Sequence, residues 1–182
     1  MKKVYLFMAD GFEEIEALAV VDLLRRANVE VNMVSVSNRL EVVGAHNVVV
    51  KADSLIAEAQ IENPDMLILP GGMPGMENLY ACEQLRNLLL KQASEQRLLA
   101  AICASPSILG RLGLLKQHQA VCYPGFESEL TEAFVRNDKV VASDNIITSR
   151  APGTAIPFAL ELISVLCGLE VSNQIAKDIL VK

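Results

Sequence analysis

Apolar positions along the chain follow two patterns in alternation. Short unbroken runs recur at Val4 to Ala9, Met66 to Leu69 and Leu98 to Ile102. A run with no polar partner face needs cover on both sides, as parallel strands beneath helices have. Between the runs, apolar residues recur three and four apart over Phe12–Ala27, Cys82–Gln96, a stretch opened by Pro152-Gly153-Thr154 and ending at Cys167, and Ser172–Leu180. These predict helices. Asp10 is placed to cap the first helix, Glu13 and Glu14 to sit as solvated acids in its first turn, and Asn28 to close it.

The remaining segments are shorter. Val29 to Val36 alternates as a second strand. Leu40–Val43 and Val48–Val50 flank Gly44-Ala45-His46-Asn47 and predict an antiparallel hairpin added to the sheet. A short helix is expected near Ser54–Ala59, a strand over Gln119–Tyr123, and a hairpin of Val140–Ser143 with Asn145–Ser149 around Asp144. Together these make one α/β domain over residues 1–182, a doubly wound sandwich with a mostly parallel sheet and helices on both faces. Ligands in such folds bind outside the carboxyl ends of the strands. Asp10-Gly11, the Pro70–Gly75 loop, Cys103 and Tyr123 all fall at predicted strand ends.

Composition narrows the classes. The chain has 182 residues, is 52% hydrophobic and 21% charged, and carries a net charge of −6. That charge gives no footing for nucleic acid or an anionic membrane. No apolar stretch approaches a membrane span, and Asp10 interrupts the first apolar run before a signal-peptide core is complete. A cytoplasmic location is expected. The four cysteines show no metal-ligand spacing and are expected as thiols. The Pro70–Gly75 loop is neither a dinucleotide fingerprint nor a P-loop. No cofactor and no metal are expected.

Two residues carry chemistry. Leu98–Ile102 runs straight into Cys103, and Ala104-Ser105-Pro106 opens a helix. Cys103 therefore falls at a strand-to-helix turn beside free backbone N–H groups and a positive helix end, which depress a thiol pKa. The same pattern also fits a buried structural cysteine. Glu16 shares an apolar stripe with Phe12, Val20, Leu23 and Ala27. Either it marks the edge of a wide stripe, or it is a buried carboxyl with a raised pKa that donates a hydrogen bond at neutral pH.

Four segments in order resemble the ThiJ/PfpI family, in the branch of the Parkinson disease protein deglycase. They are Gly11-Phe12-Glu13-Glu14-Ile15-Glu16, Leu69-Pro70-Gly71-Gly72, Ala100-Ala101-Ile102-Cys103-Ala104 and Thr148-Ser149-Arg150-Ala151-Pro152-Gly153-Thr154. The resemblance implies a flavodoxin-like fold, related to class I glutamine amidotransferases, and a homodimer. It implies that Cys103 is the reactive nucleophile, that Glu16 is a protonated carboxyl bonded to it, and that the N–H groups of Gly72 and Ala104 form an oxyanion hole. Where many members place a histidine beside the cysteine, this sequence has Tyr123, which argues against a Cys–His protease dyad. His46 stands where relatives can carry an arginine near the dimer interface, so the resemblance makes it a candidate anion contact, auxiliary to the site along with Tyr123 and Arg26. His118 reads as a solvated loop residue.

The implied function is an enzyme acting on small reactive dicarbonyls or their early protein adducts, a glutathione-independent glyoxalase or deglycase. The alternative is a non-catalytic redox sensor or redox-regulated chaperone that reads the oxidation state of Cys103. Helix Phe12–Ala27 has apolar residues nearly all round, more than one core-facing stripe requires. A twofold contact through this helix is the expected cover, with Asp22 and Arg26 beside it.

Overall fold

The computed structural model describes residues 1–181. Its centre is a seven-stranded sheet built from β1 (Lys3–Met8), β2 (Glu30–Ser35), β5 (Ser54–Leu55), β6 (Met66–Leu69), β7 (Leu98–Ile102), β10 (Val140–Ser143) and β11 (Ile146–Ser149). The strand order is β10-β11-β7-β6-β1-β2-β5, and every pairing is parallel except β10 with β11. Alternate side chains of the unbroken runs feed two separate cores. Val4, Leu6, Met8, Ile68 and Ile102 pack under α1 (Glu14–Arg26), α5 (Ala155–Cys167) and α6 (Leu169–Asp178). Tyr5, Phe7, Leu67, Leu69 and Leu99 pack under α2 (Gly75–Ala81), α3 (Glu83–Ser94) and α4 (Pro106–Arg111). The sheet is thus covered on both faces, and the flavodoxin-like α/β architecture is confirmed.

The chain crosses over after β5 to lay β6 on the other side of β1, so strand order reverses at β1. The loops leaving β1, β6 and β7 at their carboxyl ends therefore open around one crevice, where such folds bind ligands.

Several expectations need correction. Asp10 does not cap α1. Its carboxylate accepts from Val43 N–H at 2.9 Å and pairs with Arg39, while Glu13 occupies the cap position. Strands β3 (Glu41–Val43) and β4 (Val49–Lys51) do form an antiparallel hairpin, but as a sheet of their own. It is docked on the turn after β1 by Gly11 N–H to Val43 O at 2.7 Å and Ala45 N–H to Phe12 O at 2.8 Å. The segment expected as a helix over 54–59 is the edge strand β5 followed by a turn, because Leu55 pairs with Ser35. Only Gln119–Ala120 of the expected 119–123 strand is extended; as β8 it pairs with β9 (Phe134–Val135) outside the main sheet. The 82–96 helix is preceded by the unforeseen α2, which places Cys82 at the junction of the two.

Candidate active site

Cys103 follows β7 with φ of +66°, a conformation that costs an L-residue energy and persists only where its surroundings enforce it. Here its N–H donates to Ser149 O at the end of β11 (3.0 Å), and its carbonyl accepts from Tyr123 N–H (2.7 Å). The next residue but one, Ser105, is fully buried and donates from Oγ to Pro70 O at 2.6 Å, which ties the elbow to the loop after β6. That loop brings Gly72 to the sulfur. Gly72 has φ of +94°, and a Cβ there would collide with Glu13 N and Gly11 O, so no other residue fits. The backbone N–H groups of Gly72 and Ala104 both reach the Cys103 sulfur. Among the described residues neither donates to another backbone carbonyl.

Glu16 sits in the first turn of α1 with 0% of its surface exposed, so it lies inside the apolar stripe and not at its edge. Its Oε2 accepts from Gly71 N–H at 2.7 Å, and Oε1 has no conventional hydrogen-bond partner among the described residues. Burial raises its pKa to about 7 against the opposing pull of Gly71 N–H and the Cys103 thiol, with the Glu13 charge adding to the rise. The thiol is not depressed as the helix start alone predicts. Burial first, and then the Glu16 carboxylate beside it, push Cys103 up to about 12, outweighing the Gly72 and Ala104 N–H groups. Cys103 and Glu16 titrate as one pair, giving up a first proton near neutrality and holding the second until strongly basic pH.

The sulfur opens into a cavity of about 270 Å³ lined by Glu13, Gly72, Cys103, Ala104, Tyr123 and Phe126, among others. Its size suits a small molecule rather than a peptide. A roomier surface cleft of about 630 Å³ borders His118, Asp144 and Asn145, at the amino ends of β7 and β11, and carries no nucleophile. His118 is half-buried there, with Nδ1 3.2 Å from Ser143 O, and is not a solvated loop residue. Tyr123 reaches the cavity wall as an exposed side chain. Arg26 does not reach the cavity. It lies in the last turn of α1, where its Nε donates to Asp22 at 2.7 Å.

His46 is also outside the cavity, but its surroundings differ from those expected. Its Nδ1 lies 3.0 Å from Glu14 Oε2 and 3.7 Å from Glu13 Oε2, so it faces protein carboxylates and not a free anion. The Glu14 hydrogen bond, and then the charges of Glu13 and Glu14, raise its pKa. Glu13 and Glu14 are themselves buried, at 9% and 7% exposed, and not solvated first-turn acids. The β3–β4 hairpin folds over them. Glu13, at the cap of α1, is the functional candidate that sequence reasoning passed over; nothing local marks it, since the β3–β4 hairpin is what buries it.

The DJ-1/PfpI family model matches residues 2–165. Protein DJ-1 homolog B of Arabidopsis thaliana is 41% identical over 175 residues, 96% of this chain and 40% of that protein, so the chain spans about two fifths of its length. A glutathione-independent glyoxalase of Caenorhabditis elegans is 32% identical over 176 residues, 96% of this chain and 93% of the relative. The oxidized structure of Toxoplasma gondii DJ-1 superposes with a TM-score of 0.96 at 40% identity, covering 100% of this chain and 99% of that one. With the elbow, the glycine loop and the sheet order on one side, and a family match from residue 2 to residue 165 on the other, the chain belongs to the DJ-1/PfpI family.

Proposed function

We propose that the protein is a cysteine-dependent enzyme acting on small reactive dicarbonyls such as methylglyoxal, or on their early protein adducts, as a glutathione-independent glyoxalase or deglycase. The observation that carries this reading is the convergence of two free backbone N–H groups and a buried, proton-holding carboxyl on one thiol inside a small cavity. The relative named as a glyoxalase, aligned over nearly its whole length, supports it.

The chemistry follows from the pair. The carboxyl gives up its proton first, and the thiol passes its own proton to Glu16 as it attacks, so that the charge developing on sulfur faces two backbone N–H groups. The thiolate adds to the aldehyde carbon, a C–S bond forms, and the carbonyl electron pair becomes an alkoxide. The Gly72 and Ala104 N–H groups, no longer needed by the sulfur, hold that oxygen, and Glu16 supplies its proton. The hydrogen on the former aldehyde carbon then moves as a proton to the neighbouring carbonyl carbon through an enediol, leaving a thioester. Water cleaves the thioester to lactate and the free thiol. The net change is addition of one water, with no external oxidant. Glu16, with Tyr123 on the wall, is the proton carrier in place of a histidine, so turnover is slow.

Lactate formation from methylglyoxal by wild type and Cys103→Ser tests this. Activity that disappears with the sulfur supports the enzyme. Absence of activity in both sinks it and favours a second reading, a redox sensor or redox-regulated chaperone. That reading draws on the unpartnered Oε1 of Glu16, placed to donate to a sulfinate oxygen on Cys103, and on the oxidized state of the Toxoplasma relative.

The protein acts as a homodimer. Helix α5 packs against α1, but Ile15 and Leu18 remain exposed, with Val48 and Val49 on the hairpin tied to Glu14. A second copy is the simplest cover for that patch.

A further inference from the structure

We infer that Glu13, Glu14 and His46 form a binding site for one divalent transition-metal ion such as zinc, set in the wall between the Cys103 cavity and the surface. One ligand atom from each residue lies within 4.8 Å of the others. Nδ1 of His46 stands 3.0 Å from Glu14 Oε2 and 3.7 Å from Glu13 Oε2. Ligand atoms about 2.0–2.2 Å from a tetrahedral ion stand roughly 3.4 Å apart, so small movements suffice to seat one.

The site is built and oriented. Glu14 Oε1 accepts from His46 N–H at 2.8 Å and Val48 N–H at 3.4 Å, which turns Oε2 toward the imidazole as outer-shell donors turn a metal ligand. The loop can approach this closely because residue 44 is glycine; a Cβ there would collide with Glu14 Oε1. Glu13 supplies an independent pointer. It is 9% exposed, accepts no hydrogen bond among the described residues, and has only His46 as a cationic neighbour. A carboxylate so buried is costly unless a cation or proton meets it.

Charge decides between the two. A protonated His46 cancels one of the two carboxylates, whereas a divalent ion cancels both and leaves the imidazole neutral, as a metal ligand must be. Two oxygens and one imidazole nitrogen, with no thiolate, suit first-row ions, and three protein ligands leave a fourth position for water.

The test uses the full chain carrying Cys103→Ser, which removes the reactive thiol and makes the result independent of the proposed catalysis. After chelator treatment the protein is titrated calorimetrically with zinc, and with cobalt(II) for its absorption spectrum. The expected result is one ion per chain, with no thiolate-to-metal charge-transfer band. His46→Gln and Glu13→Gln, each checked for an unchanged circular dichroism spectrum, should each weaken binding more than about tenfold, since even outer-shell partners are worth about 10–100-fold. No saturable binding at millimolar ion, affinity unaltered in His46→Gln, or a thiolate band from another cysteine would each overturn the assignment.

Discussion

A carboxyl with no exposed surface and a thiol beside it cannot ionise as Glu16 does in the unfolded chain. Its pKa is 4.5 unfolded and about 7 folded, so between these values the folded protein holds a proton that the unfolded chain has lost. Stability from this group is therefore full below about pH 4.5 and is lost as pH rises through 7. The difference corresponds to roughly 3 kcal/mol at about 1.4 kcal/mol per pH unit. Urea unfolding of wild type and Glu16→Gln at pH 5 and pH 8 should show wild type losing stability relative to the variant by that order; parallel losses would contradict the buried, proton-holding carboxyl. Glu16 was legible in the sequence because a charge on an apolar stripe has few places to go. Glu13 was not, because its burial comes from a hairpin whose key residue, His46, lies far along the chain. The direction of the Cys103 pKa was misread for a related reason: the helix start is local and visible, whereas the carboxyl across the crevice is not.

At the scale of elements, the unbroken apolar runs were read almost to the residue, since full burial on two faces leaves a strong local pattern; Met66–Leu69 matches in full. The failures are short segments whose state is decided by a distant partner, as at Ser54–Leu55 and Gln119–Ala120. The β3–β4 hairpin shows the same dependence. It lies outside the main sheet and hangs on the β1–α1 turn through Asp10 Oδ1 and Val43 N–H, with Arg39 adding a largely exposed pair. Asp10→Ala should therefore loosen the hairpin by about 1 kcal/mol, mostly from the lost hydrogen bond to a charged acceptor. Hydrogen exchange should quicken at Val43 and the adjoining hairpin amides while β6 and β7 stay protected. Uniform acceleration across the sheet, or none, would contradict this.

At the scale of the whole molecule, two cores hold the sheet rigid while the loops at its carboxyl ends supply Cys103 and the Gly72 loop, and the first turn of α1 supplies Glu16. The hairpin contributes twice, burying Glu13 and Glu14 and extending the apolar patch of Ile15 and Leu18. Light scattering at micromolar concentration should return twice the 19.8 kDa chain mass, and Ile15→Lys with Leu18→Lys should return the single chain. A wild-type monomer would remove the dimer from the account.

The central claim is that the Cys103–Glu16 pair releases one proton near neutrality, from a carboxyl that burial keeps protonated far above its ordinary range, and holds the thiol proton until strongly basic pH. The protonated-carboxyl stretch in the infrared, taken as the difference between wild type and Glu16→Gln from pH 5 to pH 10, reads that first proton directly. The account predicts a Glu16-dependent band that is present at pH 5 and fades around pH 7, well above the value of 4.5 for the unfolded chain. A difference spectrum with no such band at pH 5 would contradict it, making Glu16 an ordinary ionised carboxylate and leaving Cys103 without its proton partner.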